Sequence, residues 1–249
     1  MDEIDWEKVF KEVISVWIKP EIKRRQEAGL LPRDFILRRA QVVFYPPPPN
    51  KSEVRLNEEV QALMKVKPKE GVSVKRGDTI MFKDIEDVLS IRLPEKEADV
   101  AHITMILTPK GWCMTFDARY NKSKVQRHLE AAQEFIEAAK LASQKKHLRA
   151  FVDNAFSAAE LLAKGDLMLL PLYKKYTGRH KTIQLGYTWW AELGNVPIHF
   201  KTTLDKLSGL RDSARYLKEN FAVGSELTKE FLQTLDEMKK RLEDRLAAL

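Results

Sequence analysis

The chain of 249 residues contains one cysteine, Cys113. A lone thiol excludes an internal disulfide and a cysteine-based zinc cluster, and in a strand it reads as a small buried hydrophobe. No run is apolar for the length that a membrane-spanning helix needs, so no membrane partner is expected. The opening residues Met1-Asp2-Glu3-Ile4-Asp5 are acidic, whereas a secretory leader starts basic and continues apolar. The expectation is a soluble, cytoplasmic protein. There is no P-loop, no Gly-x-Gly-x-x-Gly and no nucleotidyltransferase Gly-Ser…Asp-x-Asp pattern. Neither a metal nor a cofactor is expected.

The charge balance is uneven. Lysine and arginine number 43 against 36 acidic residues, a net charge of +7 that leans weakly toward an anionic partner such as nucleic acid or nucleotide phosphate. Hydrophobic residues make up 44% of the chain, which excludes wholesale disorder and leaves room for one large domain or two modest ones.

The first part mixes helix and strand. Trp6, Val9, Phe10, Val13 and Trp17 recur at three- and four-residue spacing, the apolar stripe of an amphipathic helix. Pro20 removes a backbone donor and is expected to break or kink it, with a short basic helix through Lys23-Arg24-Arg25 ending near Gly29. Lys23, Arg24, Arg25, Arg38 and Arg39 read either as a phosphate-facing patch or as a solvated face. Gln41-Val42-Val43-Phe44-Tyr45 reads as a strand, and the prolines at 46–49 as a stiff polyproline II spacer. Residues 54–66 suggest further extended structure or a short helix. Arg76-Gly77-Asp78 reads as a turn. Residues 101–108 and 112–120 read as a hairpin around Pro109-Lys110-Gly111, with glycine supplying the positive φ. His102, alone in a strand, reads as a surface or half-buried residue.

At Ser123 the hydrophobic period lengthens from two to about three and a half. Ser123 with Gln126 makes a capping box that opens a first helix, with Val125, Leu129, Ala132, Ile136 and Ala139 inward. A second helix runs over about 146–164 with Ala155, Ala158 and Ala159 permitting close contact, and Gly165 caps or bends it. Further helices are expected over 182–193, from near Pro197, and after Ser225. The fold class is therefore α+β, with a helix-plus-antiparallel-sheet domain over residues 1–122 and an all-α up-and-down bundle of five helices over 123–249.

Four runs of the bundle carry a family likeness. They are His128-Leu129-Glu130-Ala131-Ala132, then Arg149 through Lys164, then His180-Lys181-Thr182-Ile183, then Leu210-Arg211-Asp212-Ser213-Ala214-Arg215-Tyr216. Together they resemble the HEPN domain, the higher-eukaryote and prokaryote nucleotide-binding family. The resemblance implies a bundle that pairs as a homodimer and that binds or acts on RNA or nucleotides, often in toxin–antitoxin, defence or stress systems. It also implies a motif, Arg-x4-6-His, in the ribonucleases of the family: the arginine steadies the phosphate and the histidine handles the 2′-hydroxyl proton. Arg211 matches the arginine, and Tyr216 stands at the histidine position.

That departure bears on chemistry. Tyrosine titrates near 10, about three units too high for a base at cellular pH, and bringing it down would take roughly 4 kcal/mol. Arg211 and Arg215, four residues apart, project from one helix face and offer two planar cationic forks to a phosphate. Asn154, Glu160 and His180 are further candidates for a phosphate or substrate pocket; Asn154 and Glu160 read equally as an interhelix hydrogen bond and a solvent-facing carboxylate. His180 and His199 otherwise read as loop or capping residues, and Trp189 and Trp190 as core or interface. Three functions stay open: a non-catalytic binder of RNA or nucleotide phosphate, a ribonuclease using Arg211 with Tyr216, and an interaction module whose arginines are tied to acidic residues of the last helix such as Asp236 or Glu237.

Overall fold

The computed structural model describes residues 5–46, 51–75, 77–171, 173–216 and 221–247. The chain is α+β and divides into two compact units, the first ending at Ala118 and the second beginning at Arg119.

In the first unit, helix α1 (Trp6–Val13) leads through a π-helical turn, Ile14–Ile18, straight into α2 (Lys19–Glu27). Pro20 does not break the helix. The wider turn, closed by the Lys19 N–H on the Ile14 carbonyl, resets the hydrogen-bond register so that the proline ring falls in the first turn of α2, where no N–H is required. Four antiparallel strands, β1 (Arg39–Tyr45), β2 (Lys51–Leu56), β5 (Ala101–Thr108) and β6 (Gly111–Asp117), form a sheet in the order β2-β1-β5-β6. Two more, β3 (Leu63–Pro68) and β4 (Ile85–Arg92), pair separately. A single 3-10 turn, Asn57–Glu59, separates β2 from β3, so residues 54–66 are mostly extended.

Alternation decides which sheet face meets the helix. Ala40 and Val42 of β1, Leu56 of β2 and Ile103 and Met105 of β5 pack with Val13 and Ile18 as one apolar cluster, and Trp17 sets its ring edge-on to Phe44 at 5.3 Å. Trp6, expected in the helix stripe, is instead 60% exposed at the helix start. The opposite sheet face sets the buried polar Gln41, His102 and Thr104 among the buried apolar Val43 and Ile106. His102, expected near the surface, is fully buried; its Nδ1 lies 2.9 Å from the Thr104 hydroxyl, which also accepts from the Gln41 amide. The β5–β6 turn is one residue shorter than expected: Thr108 pairs with Gly111, so only Pro109 and Lys110 lie outside the ladder, and Gly111 opens β6 at φ 115°. Gly77 turns the chain at φ 99° with the Asp78 N–H on the Lys75 carbonyl; Arg76 and the prolines at 47–49 lie outside the described residues.

The second unit is helical: α3 (Lys122–Gln144), α4 (Leu148–Met168), the single-turn α5 (Tyr173–Tyr176), α6 (His180–Glu192), α7 (Ile198–Arg215) and α8 (Ser225–Ala247). The extra turn α5 occupies a segment expected to be loop. Ser123 is not the N-cap: α3 starts one residue earlier, behind Asn121 at φ 54°, whose amide donates to the Met168 carbonyl. A three-residue turn with Lys146 at φ 58° joins α3 to α4.

Helix α4 packs against α3, α6, α7 and α8. Ala155, Ala158, Ala159 and Ala163 are all fully buried, and their small side chains let neighbouring backbones approach. Gly165 neither caps nor bends α4. It lies inside the helix where α8 crosses, and a β-carbon there would stand 2.7 Å from Leu242 Cδ2. Gly186 of α6 is similarly pressed, by Tyr176 of α5 at 2.6 Å.

Gly165→Ala is expected to destabilise the protein by about 1–3 kcal/mol through overpacking. Gly209→Ala at an exposed position of α7, where no atom lies within 4 Å of the new methyl, is expected to stabilise it by about 0.5–1 kcal/mol. Urea unfolding of the two variants checks both; equal effects would mean the helix crossing at Gly165 is not tight.

Candidate functional site

The bundle corner with most convergent charge is built on one stripe of α4. Arg149, Asp153, Phe156 and Glu160 follow at helical intervals and share a face. Arg149 donates through Nη1 to the Ser213 and Ala214 carbonyls at 2.8 and 3.0 Å, placing a cation on the negative end of α7.

Asp153 receives both arginines of the motif. Its Oδ1 accepts from Arg211 Nε at 3.1 Å and from Arg215 Nε at 2.7 Å, and its Oδ2 accepts from Arg215 Nη2 at 3.1 Å. Arg211 and Arg215 thus do project from one face, but their carboxylate partner is on α4. The last helix is engaged otherwise: Asp236 pairs with Lys140 and Glu237 with His199, so the expected ties of the motif arginines to Asp236 or Glu237 do not form. The reason is geometric, since α7 lays its arginine face on α4. The Arg215 side chain holds the Asp153 carboxyl below its ordinary value, with Arg211 adding to the effect against a smaller penalty from burial.

Arg211 is the most constrained cation of the corner. Its guanidinium carbon lies 4.5 Å from the centre of the Phe156 ring, and its side chain is only 18% exposed. With Nε on Asp153, its two Nη groups have no acceptor among the described residues. His180 approaches the same ring, with centroids 6.1 Å apart, and its Nδ1 contacts the Glu160 carboxylate. His180 and His199, read as loop or capping residues, each engage a carboxylate of another helix instead.

The structure therefore brings Arg211 and His180 to the Phe156 ring, with Glu160 on His180 and Arg215 on Asp153, and leaves two other candidates aside. Asn154 donates to the Ala150 carbonyl of its own helix. Tyr216 closes α7 with its N–H on Asp212, and the residue is 76% exposed. Beside His180, the exposed Lys174, Lys175, Arg179 and Lys181 carry no acidic partner among the described residues, and Tyr176 stacks on Trp189 at 5.2 Å. The N-terminal cations behave differently: Glu21 takes both Arg24 and Arg25 and is held at about 2, Glu59 takes Arg25, and Glu27 and Glu58 approach Lys23 and Arg39.

Sequence reasoning did not single out Asp153 or Phe156. The signal was present in the spacing of Asp153, Phe156 and Glu160, which one helix face requires, but nothing in one dimension says that α7 and the start of α6 meet that face. Among the described residues no group of histidine, cysteine and carboxylates is arranged to hold a metal, and no helix is long and apolar enough to cross a membrane. No family model matches the chain, and no curated protein matches it in sequence.

The depressed Asp153 pKa sets a pH dependence. A carboxyl lowered on folding contributes stability in full above its unfolded value, near 3.9, and loses it as pH falls through the lower folded value. Asp153→Asn is expected to lower stability at neutral pH and to flatten its decline through that acid window. Urea midpoints measured across a pH series check this; an acid limb identical to the parent's would show the clasp to be inert.

Proposed function

We propose that this chain is a HEPN-like, cytoplasmic protein that binds RNA or nucleotide phosphates at the corner of α4, α6 and α7 without cleaving them. The observation that carries this reading is Arg211: it is fixed by Asp153 and Phe156 while its two Nη groups have no acceptor among the described residues. A planar fork held in that way loses little freedom on taking a phosphate. The cations between Lys174 and Lys181, which have no acidic partner among the described residues, supply the field that draws a polyanion in. The motif supplies no imidazole, and Tyr216 sits exposed at the helix end, which favours binding over catalysis. The same reading carries a homodimer through the C-terminal helices, supported by exposed Leu185, Leu193 and Ile198. Light scattering at twice the chain mass is the expected result, and a strict monomer at tens of micromolar counts against it.

A second reading rests on the clasp itself. Two arginines on one aspartate also suit a purely structural lock between α4 and α7 in an interaction module. The two readings separate in one set of measurements. For phosphate binding, Arg211→Ala weakens the affinity for a fluorescent single-stranded RNA by about 1–3 kcal/mol, added salt weakens the parent, and Asp153→Asn weakens binding too by releasing the Arg211 side chain. For a lock, Arg211→Ala lowers the melting temperature and leaves RNA affinity where it was. Tyr216→His restores the Arg-x4-His spacing, and no RNA cleavage is expected from the parent beside it.

A further inference from the structure

A second part of the bundle has donors without acceptors. Among the described residues, two buried side-chain polar atoms lack a hydrogen-bond partner: Arg241 Nε and Trp190 Nε1. Both are N–H donors, so what is missing is an acceptor. They belong to one corner. Arg241 donates through Nη2 to the Asn195 carbonyl, the Asn195 N–H donates to the Trp190 carbonyl, and the Arg245 guanidinium carbon lies 5.9 Å from the Trp190 ring centre. Beneath it the buried Asp166 is already committed to Arg245 and to the Tyr187 hydroxyl. Glu237 is likewise occupied, by His199 and Gln233.

Helix α8 opens a groove of about 460 Å³ at this corner, lined by Glu237, Lys240, Arg241, Asp244 and Arg245. Residues 237, 240, 241, 244 and 245 follow at three- and four-residue spacing, so their side chains share a face. Lys240 is exposed and has no acidic partner among the described residues.

We infer that this face of α8 is a binding site for a small oxyanion of the phosphate class, with Arg241 and Lys240 as its principal contacts and Trp190 as its buried neighbour. A tetrahedral anion has what the corner lacks: several acceptor oxygens and negative charge. The Arg241 guanidinium, anchored through Nη2 on a carbonyl, is held in a fixed orientation at the groove, and a fixed planar fork favours phosphate over chloride. The site is separate from the α4–α6–α7 corner and stands whether or not that corner binds RNA.

The five tryptophans give five indole N–H signals in a nitrogen-15 correlation spectrum, and Trp190→Phe assigns the relevant one. The full chain is titrated with orthophosphate and, separately, with AMP, against sodium chloride at matched ionic strength. The Trp190 signal is expected to shift saturably with at least one of the two anions and not with chloride. Tighter binding of AMP would identify a nucleotide phosphate, and tighter binding of orthophosphate the free anion. Arg241→Met should abolish the response. Lys240→Gln, which disturbs no structural contact, should weaken it by about tenfold, the effect of one charge-assisted contact. Arg211→Ala should leave it unchanged, which keeps this test independent of the RNA measurement. A Trp190 signal that ignores both anions, or one showing only exchange with a long-lived buried water, overturns the inference.

Discussion

The close approach of helices around α4 is the constraint on which the second unit depends. Four buried alanines and Gly165 remove side-chain bulk from the contact, so α3, α7 and α8 come near enough for short polar side chains to reach across. Asp153 is such a side chain: its carboxylate can span from α4 to two arginines only because the backbones are already close. The hydrophobic term supplies the stability and fixes the helix spacing, and the ion pairs then specify which faces meet. A wider spacing at α4 would loosen Arg211, Arg215 and the arginine cap of Arg149 together.

Charge is distributed unevenly over this frame. In the first unit most of the basic residues between Lys23 and Arg39 face carboxylates, and Arg55 spends its donors on Glu53, Glu97, Gln41 and Tyr45. In the second unit the cations from Lys174 to Lys181 face none among the described residues. Exposed pairs contribute little to stability, so this asymmetry concerns partners rather than folding. The phosphate reading accordingly rests on the second unit.

The two arginine pairs of the bundle illustrate how a repeated sequence spacing leads to different chemistry. Arg211 and Arg215 share one carboxylate, Arg215 through Nε and Nη2 and Arg211 through Nε alone. Arg241 and Arg245 share a face with the same four-residue interval, but Arg245 takes the buried Asp166 while Arg241 keeps an orphaned Nε. The difference lies in what each pair packs against.

Local physics was legible in one dimension. The change of hydrophobic period near Ser123, the β-branched run at 41–45, the hairpin and the alanine-rich fourth-helix face all follow from backbone geometry and side-chain bulk, which neighbours along the chain determine. The placement of Arg211 and Arg215 on one helix face was readable for the same reason. Their partner was not, because Asp153 lies 58 and 62 residues away and only the crossing of α7 over α4 joins them. Helix ends also escaped: Asn121 displaced Ser123 as the cap, and α4 ran through Gly165, since tertiary contacts outweigh propensities worth about 1 kcal/mol. Spacing along the chain determined which residues share a face; the packing of one helix on another decided what each face meets.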